Sequence, residues 1–261
     1  MIVDKINAYL STEGKPLEEA LLLETGKLAA WAFMRQFGER KERLQNSPYF
    51  SSIGKCLRQQ AYSLLGFEHD GKEIDSRAKM VFFQGDIAEL AIVQLAKVAG
   101  CEVSQTGFEQ QSIEWEGLRG RPDGVVSGSH LLEVKSMSSY GFDNFQRGEL
   151  DDSYRYQCNA GMEALNLDKT VIVALNKDAG VLHEMVISKN PEVVKDIRAR
   201  LAALKSATKE SLPPRPYAPN EKGFYPWNCL YCSYWKTCLP NAEKVLVKNA
   251  YKLKEKTYAA A

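Results

Sequence analysis

"GRPDGVVSGSHLLEVKS", residues 120–136, reads as two strands joined by a tight turn at Gly128–Ser129–His130. Side chains alternate along a strand, so Glu133 and Lys135 point to one face while Leu132, Val134 and Ser136 point to the other. Asp123 closes the preceding strand and is expected opposite them in the hairpin. A buried strand rarely keeps two charged side chains on one face without a reason. Two carboxylates alone repel, and one of them stays protonated. A divalent cation removes that conflict. Hard Mg²⁺ or Mn²⁺ takes oxygen ligands and keeps waters that can be activated. Lys135 beside such a water would position or deprotonate it, or stabilise charge on a phosphate. The chemistry expected of this set is phosphodiester hydrolysis. An isolated Glu-x-Lys is a common solvated surface pair. The Gly-Arg-Pro-Asp upstream, joined to it by an apolar strand, is what makes the pattern specific.

Working outward, the chain has 261 residues, enough for one large domain or a domain with an appendage. Its 26% charged and 44% hydrophobic residues exclude a disordered chain. The net charge is only +1, so a nucleic-acid partner must be held by a local basic groove. No apolar run is long enough to span a bilayer, so no membrane partner is expected. The opening residues lack the basic-then-apolar layout of a signal peptide, so the cytoplasm is expected.

Helical spacing of apolar residues predicts helices over residues 1–46, 53–66, 77–100, 151–166 and 190–207. The helix over 77–100 is apolar nearly all round and is expected to be buried. Strands are predicted at 103–110, 118–126, 130–136, 169–177 and 181–188, with 169–177 apolar throughout and suited to the sheet centre. The order implies a mixed α/β fold. Three segments are expected: an N-terminal helical segment (1–48), a core (49–245) and a C-terminal tail (246–261).

The segment "NCLYCSYWKTC" places Cys229, Cys232 and Cys238 in a C-x2-C-x5-C pattern. Cys56 is a candidate fourth ligand. In a reducing compartment such a group points to a metal or cluster rather than to disulfides. Four thiolates also suit Zn²⁺. Alternatively, Cys56 is a core cysteine, which leaves three ligands. Cys101 and Cys158 lack neighbours of this kind and are expected to pack as small apolar side chains.

"GRPDGVV…LLEVKS" resembles the PD-(D/E)XK nuclease superfamily and, within it, the RecB-like exonucleases. The resemblance implies a restriction-endonuclease-like core, a mixed central sheet flanked by helices. It implies a metal-dependent DNA exonuclease in which Asp123, Glu133 and Lys135 are catalytic and Asp123 and Glu133 bind Mg²⁺ or Mn²⁺. Members also carry a metal-binding residue on an upstream helix, often His in a G-x-x-x-H pattern. Here "GDIAE" (85–89) puts Glu89 at that position. It departs from the His form and is similar to the version that carries Glu. Independently, Glu89 lies on the helix face of Phe82, Gly85, Ile92, Val93 and Ala96, where an unpaired carboxylate is costly. The family's Gln-x-x-x-Tyr motif is matched by Gln157, whose implied role is to orient the phosphate or the water. Its tyrosine position holds Gly161, which leaves Tyr154 and Tyr156 as nearby candidates.

One upstream and three downstream cysteines flanking such a core resemble the four-cysteine iron–sulfur nucleases, among them the CRISPR-associated adaptation exonucleases and the AddB helicase–nuclease subunit. The resemblance implies a [4Fe–4S] cluster on Cys56, Cys229, Cys232 and Cys238. Only the resemblance favours iron over zinc. It also implies that Arg58 contacts a DNA phosphate; an ion pair with a core acid is the alternative. DNA with single-stranded ends is the expected partner, alongside helicase, recombination or CRISPR adaptation proteins. Arg119, Arg121, Lys222 and Lys236 are expected to add local positive potential. Trp227 and Tyr231 belong to an aromatic group that is expected to shield the cluster or stack on bases. The Glu89 and Gly161 departures keep a second reading open, a binding subunit with the same fold and no reaction.

Overall fold

The computed structural model describes residues 1–12, 16–38, 47–70 and 76–256. In chain order the elements begin with α1 (Ile2–Leu10), α2 (Glu19–Phe37), α3 (Phe50–Ile53), α4 (Leu57–Leu64) and α5 (Ser76–Val98). Five strands follow: β1 (Val103–Ser104), β2 (Ile113–Trp115), β3 (Leu118–Gly120), β4 (Gly124–Val126) and β5 (His130–Met137). Then come α6 (Ser139–Gln146), α7 (Asp152–Leu165), β6 (Lys169–Asn176), β7 (Val181–Ser188) and α8 (Pro191–Ser206). The chain ends with α9 (Trp227–Leu230), α10 (Trp235–Cys238), β8 (Ala242–Val247) and β9 (Ala250–Glu255).

Two compact units result. The first comprises Met1–Gly54 with Ile74–Ile197, and the second Lys55–Glu73 with Arg198–Ala261. Ile2, Val3 and Ile6 of α1 are buried in the core of the first unit. Residues 242–255, which straddle the start of the expected tail, form a hairpin. Residues 39–46 of the expected N-terminal helical stretch lie outside the described residues.

The first unit is built on a mixed five-stranded sheet of order β1-β4-β5-β6-β7. β5 and β6 run parallel, while the β1–β4, β4–β5 and β6–β7 pairs are antiparallel. The alternation read from the sequence sorts the core into two layers. Leu132, Val134, Val171 and Val173 face α1 and α5, packing on Ile6, Ile92, Val93 and Ala96. Leu131, Ile172 and Ala174 face α6 and α7, against Phe142, Phe145, Cys158 and Met162. Thus Leu131, Glu133, Lys135 and Met137 share the α7 face. Helix α7 starts where Asp151 accepts the Ser153 N–H at 2.8 Å, and it ends at Asn166 in the left-handed region, φ +53°.

Two expected strands are shorter than predicted. Between 103 and 110 only Val103–Ser104 is extended, and Gly107–Glu109 is a 3₁₀ turn. The stretch 118–126 breaks at 121–123, where Pro122 supplies no N–H to a ladder. Asp123 lies in that break, one residue before the Gly124↔Leu132 pair. Helix α5 is not buried throughout. Ile92, Val93 and Ala96 lie in the core, whereas Met80, Val81 and Phe82 near its start are exposed. Only its second half lies over the core; Phe83 nearer the start meets Phe33 and Phe37 of α2.

Candidate active site

In the first unit, Glu89, Asp123, Glu133, Lys135 and Gln157 line one cleft of about 280 Å³. They arrive on four parts of the fold. Glu133 and Lys135 come from β5, Asp123 from the Pro122 break, Glu89 from α5 and Gln157 from α7. The fixed points are hydrogen bonds. The Val134 N–H donates to Asp123 Oδ2 at 2.7 Å, which locks the aspartate against β5. Gln157 Nε2 donates to Glu133 Oε1 at 2.6 Å, and the Lys135 ammonium donates to the same oxygen. Glu133 is only 3% exposed, so these two donors are what make its burial tolerable.

The electrostatics follow from crowding. Burial, then the charges of Glu133 and Glu89, push Asp123 well above the usual carboxylate range. Burial also raises Glu89; the Gln110 amide and Arg35 pull it down, and Glu133 and Asp86 push it up. Burial works to lower the Lys135 pKa, but the negative charges of Glu133 and Asp123 outweigh it and hold the ammonium above its ordinary value. Beside these two carboxylates the ammonium is the favoured form of Lys135.

Among the described residues, no group of three or more His, Cys, Asp or Glu side chains is already gathered as a metal-binding set. In the acidic cleft the Lys135 ammonium supplies the positive charge that Glu133 needs. The donor chemistry nonetheless suits a hard divalent cation. The cleft brings together three carboxylates, and two of them carry raised pKa values that an additional positive charge would lower.

Two neighbours had no clear signal in the sequence, and a third was one of the two candidates for the missing tyrosine. Gln110 Nε2 donates to Glu89 Oε1 at 3.2 Å and comes from the loop after the 3₁₀ turn. Asp86 is held by Arg35 and by Gln36, the latter at 2.8 Å. The Tyr154 ring lies 4.8 Å from Lys135 Nζ, one helical turn before Gln157. The structure thus brings Tyr154 rather than residue 161 to the lysine. A Cβ at Gly161 would lie 2.7 Å from Leu131 Cδ2, so a side chain there requires that methyl to shift. Tyr156 is directed elsewhere and donates to Asp196 Oδ2 at 2.5 Å. The glycine of Gly-Arg-Pro-Asp has a similar cause, since a Cβ at Gly120 would fall within the Phe50 ring. Arg119 and Arg121 line a second cleft of about 560 Å³ that shares Glu133 and Gln157 with the first.

In the second unit, Cys56, Cys229, Cys232 and Cys238 line one apolar pocket with Tyr62 and Trp235. Cys56 stands at the start of α4 and accepts the backbone N–H groups of Arg58 and Gln59. Cys232 Sγ accepts the Tyr234 N–H at 3.4 Å. Burial and the neighbouring sulfurs push the Cys229 thiol up to about 12 and the Cys232 thiol up to about 11. Such thiols are poor isolated nucleophiles, and as a group they would be stabilised as thiolates by a cationic centre. Cys101 and Cys158 do not line this pocket; Cys158 is fully buried among apolar residues.

Arg58 is engaged within its own unit. Its Nε donates to the Tyr62 hydroxyl at 3.1 Å and its Nη1 to the Pro213 carbonyl at 2.6 Å, with the guanidinium 5.4 Å from the Tyr62 ring. Lys236 lies over the Trp235 ring, and Trp227 and Tyr231 remain largely exposed.

No protein-family model matches the chain, and no curated protein matches it. Among solved structures, the chain is similar to LHK-Exo, an alkaline exonuclease from Laribacter hongkongensis, in its complex with dAMP. That match is 17% identical and covers 62% of this chain and 87% of that one, with a TM-score of 0.48. It is similar to SSO0001 at 16% identity, over 80% of this chain and 93% of that one, with a TM-score of 0.45. A phage-related exonuclease from Haemophilus somnus matches at 13% identity, over 77% and 90%, with a TM-score of 0.35. At such identities and scores these likenesses assign neither a family nor an activity.

Proposed function

We propose that the protein is a metal-dependent DNA exonuclease that hydrolyses phosphodiester bonds without reading base sequence. The observation that carries this reading is the convergence of Glu89, Asp123, Glu133, Lys135 and Gln157 on one cleft. Asp123, Glu133 and Glu89 would hold Mg²⁺ or Mn²⁺. The bound cation would supply Lewis acidity toward a phosphate oxygen and lower the pKa of a water. The residues of the chain do the rest. The Lys135 ammonium, held by Glu133, stabilises the negative charge that builds on the phosphoryl oxygens. Gln157 fixes the orientation of Glu133 and limits its rotation. Tyr154 covers Lys135 and restricts its movement and its access to water. Val134 N–H keeps Asp123 turned into the cleft. The arginines of the adjoining cleft suit a phosphodiester backbone, and no base-reading motif accompanies them.

The four thiols of the second unit are proposed to hold a [4Fe–4S] cluster with a structural role, with Zn²⁺ as the alternative. Recombination, repair, phage DNA processing or CRISPR adaptation is the proposed setting, together with the helicase or adaptation partners such work requires. The test is degradation of end-labelled single- and double-stranded DNA by anaerobically purified protein. Activity that needs Mn²⁺ or Mg²⁺ and disappears in Lys135→Ala supports the reading. Equal, metal-independent signals from both proteins would replace it with a second one, a DNA-binding subunit without the reaction. The Lys135–Glu133 ion pair, which partly neutralises the acidic cleft without a metal, is the observation that favours that alternative.

A further inference from the structure

Between Cys232 and Cys238 the chain makes a turn and then the short helix α10. The first N–H groups of any helix need acceptors from outside it. Tyr234, at the N-cap of α10, supplies none from its side chain. The acceptor comes instead from Asp70, 167 positions upstream. Its carboxylate accepts the Thr237 N–H and the Thr237 hydroxyl, each at 2.6 Å. The Asp70 N–H in turn donates to the Ser233 carbonyl at 2.7 Å. Ser233 follows Cys232 in the chain, and Thr237 precedes Cys238. One residue therefore grips the loop beside both cysteines.

The strap that carries Asp70 also carries the fourth thiol. Cys56 stands at the start of α4. Beyond α4 the chain turns back at Gly66, φ +69°, and the Phe67 N–H returns to the Tyr62 carbonyl at 3.0 Å. Tyr234, only 2% exposed, meets both Tyr62 and His69, with ring centroids 5.3 Å and 4.9 Å away. Cys56 and Asp70 thus sit at the two ends of one bracket, with Tyr62 and His69 packed on the cysteine loop between them. The bonds to Thr237 lie at the surface, where exchange with water leaves little net gain for the fold as a whole. Their effect is on local geometry. Groups that orient the ligands of a metal govern how tightly it is held without touching it.

We propose that Asp70 is a positioning residue for the thiols of the second unit, holding the Cys232–Cys238 loop in its ligating arrangement through three hydrogen bonds. This inference rests on the reading of Cys56, Cys229, Cys232 and Cys238 as one ligand set.

The test follows the loss of iron, sulfide and zinc from anaerobically purified full-length protein in EDTA, by metal and sulfide analysis of desalted samples. Asp70→Ala should lose its metal roughly 10–100-fold faster than wild type. Thr237→Val removes the hydroxyl and keeps the N–H, so its rate should fall between the two. Asp70→Asn should restore a rate near that of wild type, since its amide oxygen accepts the Thr237 N–H and its NH₂ donates to the Thr237 hydroxyl oxygen. Melting curves of loaded and chelator-treated protein separate positioning from plain stability. The stabilisation that the metal confers should shrink in Asp70→Ala, while the chelator-treated forms of wild type and variant melt alike. Equal rates of loss in wild type and Asp70→Ala would overturn the proposal. So would an Asp70→Asn variant as leaky as Asp70→Ala, or a melting temperature lowered equally with and without metal. The ligand-set reading fails on a different result. Wild-type protein that carries neither iron nor zinc, and takes up neither from Zn²⁺ or from Fe²⁺ with sulfide, would remove the ligand set and the clamp with it.

Discussion

Gln157, on α7, donates its side-chain amide to Glu133 of β5 at 2.6 Å, on the same carboxylate oxygen that receives the Lys135 ammonium. One helix thereby sets the rotamer of a carboxylate that the strand alone would leave free to turn. Gln157→Ala should lower the single-turnover rate of DNA cleavage in Mn²⁺ by roughly 10–100-fold, the range expected when a reacting group is misplaced by about an ångström. DNA affinity in EDTA should change little. A rate equal to wild type would make Gln157 a bystander. Gln157→Glu should be at least as damaging, because it sets a second carboxylate against Glu133.

The raised carboxylates carry a pH signature. Asp123 and Glu89 bind protons more tightly folded than unfolded. Between the ordinary carboxylate range, about 4, and their raised values, the native state therefore holds more protons than the unfolded one. The contribution of these groups to stability is full below that window and is lost as pH rises through it. In EDTA, the melting temperature should fall across this window relative to a Glu89→Gln variant. Mn²⁺ should reverse the trend above the window, since a cation that binds only the native state stabilises by mass action. Little Mn²⁺ effect is expected below it, where protons compete. Differential scanning fluorimetry at pH 4.5 and 8, with and without Mn²⁺, measures both signs. A stabilisation that is the same at the two pH values would place the ion elsewhere.

The hairpin was legible because its alternation is strict. Leu131 and Leu132 had to face opposite layers, and that fixed Glu133 and Lys135 on the α7 side. Glu89 was legible from the motif and as a carboxylate on an apolar helix face, although the start of that helix is exposed. Gln110 was invisible, because a loop residue 21 positions from its partner leaves no period to read. Helix α6, with Ser138 accepting the Gly141 N–H, and the β8–β9 hairpin were missed for a related reason. Both are short, and the lysines and glutamates of β8–β9 give it the polarity of a tail.

Gly161 makes the cost of close packing measurable. The Leu131 methyl that a new Cβ would meet at 2.7 Å belongs to a side chain only 2% exposed, which must repack to admit it. Gly161→Ala should destabilise the fold by about 1–3 kcal/mol despite the better helix propensity of alanine. Gly161→Tyr, which restores the residue expected from the motif, should be worse and should not raise activity, because Tyr154 already covers Lys135. Urea unfolding monitored by circular dichroism gives the difference. A neutral or stabilising Gly161→Ala would mean that α7 can shift off β5 at little cost.

The thiols of the second unit separate by reactivity. With Cys229 pushed up to about 12 and Cys232 up to about 11, thiolate is scarce near pH 8 once any ligated centre has been removed. Their alkylation by iodoacetamide in chelator-treated protein should therefore be slow and should rise about tenfold per pH unit between pH 8 and 10. Before chelation the same positions should be protected at every pH, because ligation occupies the sulfur. Cys158 is fully buried and its thiol is also raised by burial, so it should react only in denaturant, under either condition. Peptide mapping by mass spectrometry reads all of these positions in one experiment. Iron and sulfide released in step with the gain in reactivity would identify a cluster, and zinc released from colourless protein would identify the mononuclear alternative. Rapid alkylation of Cys229 and Cys232 in anaerobic, untreated protein would show that they ligate nothing, and the pocket they share with Cys56 and Cys238 would then be simply part of the core.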